Sequence, residues 1–236
     1  MERKRPQLEP IVMRQYLDGA RCSSVLREIE TYRQSHHIAE IKRQCGERSL
    51  DYGVIDGIKV REHLPIVTGI GAEVQREIEN RLNVKIRPIT ERAAINVNVT
   101  RTRGEYRWHY DRNDISALLY LNSVSGGELE FYSNYRILLE QSNHGHLQEA
   151  LDKLMQFRLV RKLCGNKTSL RPEPGMLLIF DGVRTLHSVA PVISDEDRIC
   201  IVLAFDQIDS NSKKNYSLDN YLYSESEWKD SDPNYL

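Results

Sequence analysis

Three residues of this chain have the types and spacing to hold a metal ion: His109 and Asp111, within Trp108-His109-Tyr110-Asp111, and His187 far downstream. In an extended strand, side chains i and i+2 share a face, so His109 and Asp111 would project together. His187 would complete a set of two histidines and one carboxylate. Such a facial triad suits Fe(II), gripping the ion on one side and leaving positions open on the other. A co-substrate and oxygen could bind there. A His-x-Asp triplet by itself is weak, and His187 alone would read as a buried core histidine. The assignment therefore depends on the elements that would have to place these groups.

Those elements are short and β-like. Residues 116–122 (SALLYLN) form an apolar run of strand length. Gly126-Gly127 then makes a turn, and residues 128–132 (ELEFY) alternate with period two. Pro174-Gly175 opens 176–180 (MLLIF), His187-Ser188-Val189 follows a short loop, and 198–205 (RICIVLAF) closes the series. Short strands punctuated by Gly, Pro, Asn and Asp indicate an all-β sandwich or barrel.

In this order, His109-x-Asp111, LLYLN at 118–122, GGELEFY at 126–132, PGMLLIF at 174–180, LHSV at 186–189 and Arg198 in its strand resemble the 2-oxoglutarate/Fe(II) dioxygenase superfamily, and within it the prolyl-4-hydroxylase-like branch. The resemblance covers residues 94–206, broken by an insertion. It implies a double-stranded β-helix, a jelly roll related to the cupins, mainly β with flanking helices (α+β). It also implies Fe(II) held by His109, Asp111 and His187, with 2-oxoglutarate and O2 as co-substrates. The distal carboxylate of 2-oxoglutarate would meet Arg198, whose guanidinium can hold a carboxylate bidentately, with help from Tyr120. Many relatives carry Ser or Thr two residues after this Arg, whereas here Cys200 stands in that place. Halogenating relatives lack the carboxylate that Asp111 supplies, so halogenation is not expected.

The remaining chain supports the site. At 236 residues it suits one domain with a sizeable core. We expect helical N-terminal support over 1–83, a β-helix core over 84–206 with a helical insertion at 133–173, and a tail at 207–236. Residues 6–33 read as helical, with Ser23 or Ser24 as N-cap; 34–50 read as a loop. Residues 54–60 look like two short strands around Asp56-Gly57. A second helix is expected over 70–82, where Ile70, Val74, Ile78 and Leu82 repeat on one face. Residues 84–89 and 94–100 read as strands, the latter with Asn96 and Asn98 on its polar face. Those two residues, with Arg101 and Tyr106, are candidate substrate contacts, and Arg101, Arg103 and Arg107 are a cluster able to hold an anion. A helix over 145–163 would be a lid on the metal site or a cover on the outside of the barrel. His144 and His146 at its start are expected to face solvent. The aromatic residues of the tail, including Tyr216, Tyr221, Tyr223, Trp228 and Tyr235, argue against full disorder.

Composition narrows the function. Net charge is −1 with 28% charged residues, and no basic stripe indicates a nucleic-acid partner. No stretch approaches a membrane span, and residues 1–6 lack a secretory apolar run. The four cysteines, Cys22, Cys45, Cys164 and Cys200, have no zinc-site spacing and suit reduced thiols in the cytoplasm. The expected activity is hydroxylation of an unactivated C–H bond in a small molecule, an amino acid derivative or specialised metabolite, with release of succinate and CO2. Desaturation and cyclisation remain open outcomes. A peptidyl hydroxylase of the prolyl type and a non-catalytic cupin-like binding module are the alternatives. The tail would fold back over the β-domain or meet a partner subunit, and a homodimer is left open.

Overall fold

The computed structural model describes residues 7–44, 46–139, 145–208, 214 and 216–225. Cys45, His144, Trp228 and Tyr235 lie outside them. The chain runs β1 (Ile11–Met13), α1 (Gly19–Ser35), β2 (Ala39–Arg43), β3 (Leu50–Ile55), α2 (Gly57–His63), α3 (Pro65–Leu82), β4 (Ile86–Pro88) and β5 (Ile95–Thr100). It continues through β6 (Tyr106–His109), β7 (Ile115–Tyr120), β8 (Leu129–Tyr132), α4 (Gly145–Gln156), α5 (Arg158–Cys164) and β9 (Thr168–Leu170). Last come β10 (Leu177–Asp181), β11 (Leu186–Val189), β12 (Arg198–Gln207) and a 3₁₀ segment, Tyr216–Tyr223.

Two antiparallel sheets face each other. The larger has the order β1-β10-β7-β12-β5-β3-β2, with β4 paired to β12; the smaller runs β6-β11-β8-β9. This is a double-stranded β-helix with flanking helices. Strand β12 shows how the sequence sets it. Ile199, Ile201 and Leu203 join one buried cluster with Val25 and Ile29 of α1 and Val67, Ile70 and Val74 of α3. Arg198, Cys200, Val202 and Ala204 alternate with them and line the space between the sheets. Each apolar side chain so buried contributes about 1.5–3 kcal/mol, and the helices thereby brace the sheet that carries the site.

Several local expectations are corrected. A strand, β1, precedes the first helix, and the N-cap is Asp18, whose carboxylate accepts from Arg21 N–H at 2.8 Å. The Ser23 and Ser24 hydroxyls instead donate back to the Gly19 and Ala20 carbonyls at 2.8 and 3.0 Å, a bond that serines make inside helices. The expected loop at 34–50 contains β2, a short charged edge strand paired to β3. The Asp56-Gly57 pair does not turn a hairpin: Asp56 accepts from Ile58 and Lys59 N–H at 3.0 and 3.2 Å and caps α2. Asp before Gly serves either role locally, and the partner strand decides which. The next helix starts earlier than expected, at Pro65, a residue suited to a first helical turn.

The insertion is two helices, not one. Arg161 of α5 lies over the Trp108 ring at 4.1 Å and the Tyr132 ring at 5.9 Å. Those rings belong to a cluster with Tyr110 and Leu186 on the outer face of the small sheet. The insertion therefore covers the barrel's outside, and its described residues do not line the cavity between the sheets. The lid expectation does not hold for it.

Replacing Asp56 with Ala should lower stability by about 1 kcal/mol, the usual effect of losing an N-cap. Chemical denaturation measures this directly. An unchanged midpoint would remove Asp56 from the capping role.

Candidate metal centre

His109 ends β6 and His187 lies on β11, directly opposite in the antiparallel register. Their ring centroids are 4.0 Å apart. Past His109 the chain leaves the strand, and Asp111 N–H donates to the Gly182 carbonyl at 3.0 Å, which turns the carboxylate back toward the imidazoles. Asp111 Oδ1 is 3.4 Å from His109 Nε2, and Oδ2 is 3.7 Å from His187 Nε2. One donor atom from each residue falls within 4.8 Å of the others. Two ligands each ~2.1 Å from an ion and at right angles lie about 3 Å apart, so a small relaxation brings these donors onto a metal.

The partners that fix the imidazoles are backbone carbonyls. His109 Nδ1 is 2.9 Å from the Arg107 carbonyl and His187 Nδ1 is 3.1 Å from that of Thr185. A carbonyl only accepts, so each Nδ1 carries the hydrogen and each Nε2 offers its lone pair to the metal. Burial, reinforced by neighbouring His109, pushes the His187 imidazole down to about 4 despite Asp111, which keeps it neutral for metal binding. Burial alone would raise the Asp111 carboxyl, but His187, His109 and the Ser116 hydroxyl together hold it well below the usual range. Ser116 donates to Asp111 Oδ2, and Asn113 Nδ2 donates to Ser116 at 2.8 Å.

Arg198 lies at the other end of the same cavity, buried to 3% exposure. Its Nε donates to the Gly127 carbonyl at 2.9 Å, and its guanidinium lies over the Tyr120 ring at 5.1 Å. No carboxylate pairs with it among the described residues. The Tyr120 hydroxyl, fully buried, also makes no hydrogen bond. A buried cation and an orphaned hydroxyl side by side form a receptor for an anion. Burial pushes the Cys200 thiol up to about 11, so it stands there as a neutral group.

A comparison with protein families matches residues 95–206 to one described as the 2OG-Fe(II) oxygenase superfamily. This segment, just under half of the chain, carries the superfamily's pattern. No curated protein matches the chain. Solved structures do. The non-haem epimerase SnoN of nogalamycin biosynthesis aligns with a TM-score of 0.63 at 12% identity, over 84% of this chain and 78% of its own. A Trichoplax adhaerens prolyl hydroxylase, solved with a hypoxia inducible factor peptide, aligns at 0.57 and 18% identity over 84% and 83%. A Pseudomonas putida prolyl-4-hydroxylase aligns at 0.53 and 15% identity over 84% and 91%. At such identities the likeness speaks for the shared fold.

The oxygenase cofactors fit the residues present. The triad offers the N₂O donor set suited to Fe(II), and Arg198 with Tyr120 would hold the distal carboxylate of 2-oxoglutarate. Of the candidate substrate contacts, Asn96, Asn98 and Tyr106 line the cavity. Arg101 does not: it is half exposed and pairs with Glu40 at 2.6 Å. Nor do the neighbouring arginines form one patch, because Arg107 turns away to donate to the Tyr221 hydroxyl at 2.6 Å.

Sequence reasoning missed Ser116, Asn113, Arg112, Asp219 and Tyr223. Ser116 had a signal: it lies on the same face of β7 as Leu118 and Tyr120. Asp219 and Tyr223 come from the C-terminal 3₁₀ segment, which lines the cavity, and nothing in their spacing announced it.

Ser116→Ala should weaken metal binding by roughly 10–100-fold, as loss of a ligand's hydrogen-bond partner commonly does; titration with Fe(II) under anaerobic conditions measures it. Wild-type affinity would show that Ser116 does not set the Asp111 carboxylate. Arg198→Ala should raise the KM for 2-oxoglutarate by at least about tenfold, since a charge-assisted pair contributes roughly 1.5–3 kcal/mol. An unchanged KM would remove Arg198 from the co-substrate site.

Proposed function

We propose that the protein hydroxylates an unactivated C–H bond of a small molecule, in a reaction that consumes O2 and 2-oxoglutarate and releases succinate and CO2. The observation that carries this is the joint presence, in one narrow cavity, of the complete triad and an Arg198 without an acidic partner. A binding module has no need of that pair. Iron with O2 and 2-oxoglutarate supplies the oxidising power when bound. The chain's residues do the positioning. His109, His187 and Asp111 hold the metal on one side. Arg198 holds the co-substrate's far carboxylate, and Asn96 and Asn98 turn their amides toward the remaining space. Asp111 keeps a carboxylate where a halide would need room.

The cavity measures about 100 Å³, well below the ~300–1,000 Å³ of common ligand pockets. That favours a compact substrate. The prolyl-type alternative draws support from the prolyl hydroxylases that share the fold and from the position of the insertion, which leaves the cavity mouth clear. Against it stands the C-terminal segment. Asp219, Leu222 and Tyr223 line the cavity and add to its walls. No described helix is long and apolar enough to cross a membrane. Cys22, Cys164 and Cys200 are unpaired, which suits a reducing compartment such as the cytoplasm.

Wild-type protein with Fe(II), 2-oxoglutarate and air should form succinate, and one component of a pool of amino acids, short peptides and cell metabolites should accelerate it; His187→Ala should form none. Succinate from both proteins, or from neither with any component, would sink the proposal. Acceleration by peptides alone would move it to the prolyl type.

A further inference from the structure

The metal and co-substrate groups all lie within residues 95–206, the segment matched to the superfamily. From outside it, Tyr52, Ile89 and Ala93 also line the cavity, and a further wall comes from near the C-terminus. The C-terminal strap, residues 216–225, brings Asp219, Leu222 and Tyr223 to its lining. Side chains pin the strap, and among the described residues it pairs with no strand. Arg43 donates to the Tyr221 and Ser224 carbonyls, Tyr52 donates to the Leu222 carbonyl at 2.9 Å, and Lys214, just ahead of the strap, bridges Asp114 and Asp206. Tyr221 and Leu222 pack on Ile41, Leu50 and Tyr52.

Two of the strap's contacts reach residues beside the metal ligands. Arg107, whose carbonyl orients His109, donates to the Tyr221 hydroxyl. Arg112, next after Asp111, donates through Nε to Asp219 Oδ1 at 2.9 Å. The Asp219 pair is single-pronged. Oδ2 accepts from no group among the described residues, although Arg–carboxylate pairs built for stability use both oxygens. It is also not among the sealed polar atoms of the interior. Asp219 is nevertheless 9% exposed, and burial, against the pull of Arg112, pushes its carboxyl up to about 6. Its negative charge is thus only partly answered by the protein. An ionised carboxylate accepts hydrogen bonds and donates none, so Oδ2 calls for an N–H donor, best a cationic one.

We propose that the strap is the substrate-selecting wall of the iron cavity and that Asp219 Oδ2 receives an ammonium or guanidinium group of the substrate. This rests on the oxygenase reading and names the substrate class for it: a compact amine or guanidine, with Leu222 and Tyr223 bounding its size. Asp219 meets the substrate, and Arg112 is a positioning residue that holds the other carboxylate oxygen.

The test uses the full chain with zinc in place of iron, which fills the triad without redox chemistry, and with 2-oxoglutarate present. Ethylammonium, methylguanidinium and acetate are titrated while NMR follows the Arg112 Nε–H and the Asp219 amide. Both cations should shift these signals. Asp219→Asn should weaken their binding by at least about tenfold, and Glu225→Gln, on the exposed end of the strap, should leave it unchanged. Stronger binding of acetate than of the cations, no shift with any of the three, or equal binding by Asp219→Asn would each overturn the proposal. The wild-type titration decides even where Asp219→Asn does not fold. Cation binding in a protein that forms no succinate would remove the oxygenase reading and keep the recognition site; succinate without cation binding would do the reverse.

Discussion

Because His109 and His187 face each other across antiparallel β6 and β11, a slip of one residue in either strand would turn an imidazole to the outer face. The rest of the site depends on that register. On the outer side it is locked by Trp108, Tyr132 and Leu186, packed under Arg161 of the insertion. Ser188, the residue after His187, donates to the Tyr106 carbonyl at 2.6 Å and accepts from Arg48 at 2.7 Å. The insertion thus serves the metal centre from behind, by fixing the strands that carry it, and has no need to reach the cavity.

The cavity concentrates charge that the fold leaves incompletely balanced. Among the described residues Arg198 has no acidic partner, and Asp219 uses one oxygen of two. Breaking a buried ion pair to leave one charge uncompensated costs roughly 3–5 kcal/mol, so this arrangement weakens the empty protein relative to a filled one. A ligand that binds only the folded chain returns about 2.7 kcal/mol when present at a hundred times its Kd. Asp111 differs: its imidazoles and Ser116 hold it charged without the metal. The metal pocket is therefore preformed, whereas the anion and substrate ends are completed by what they bind.

The parts legible in the sequence share a property. His109, His187 and Arg198 stand in alternating strands, and the Ile95–Thr100 alternation placed Asn96 and Asn98 on the cavity side; Asp111, past the end of β6, is instead turned in by its bond to the Gly182 carbonyl. Periodicity two fixes a face as soon as the strand is recognised. The failures involve partners far along the chain. Asp56 caps a helix because no strand returns after it. Residues 39–43 form a strand because β3 offers an edge. Arg101, read as an anion site from its neighbours, is taken by Glu40 of that same strand. The amphipathic pattern at 145–163 correctly implied helix, yet an apolar stripe does not say which surface it will cover. Leu154 and Leu163, apolar residues of that segment, remain 56% and 76% exposed.

The division between the matched segment and the strap has a physical basis. Iron and 2-oxoglutarate demand fixed geometry, and hydrogen-bonded strands of two facing sheets supply it, with donors locked by backbone carbonyls. A substrate wall has the opposite requirement: it must be free to vary in chemistry without disturbing the ligands. A strap held by side chains against the sheet edge meets that need, since replacing Leu222 or Tyr223 breaks no strand pairing. The link that remains, through Arg107 and Arg112, runs to the residues flanking the triad. Occupancy of Asp219 can therefore be felt at the metal through one side chain. On a fold that hosts many reactions, the proposed substrate wall then lies in a segment beyond the part matched to the superfamily.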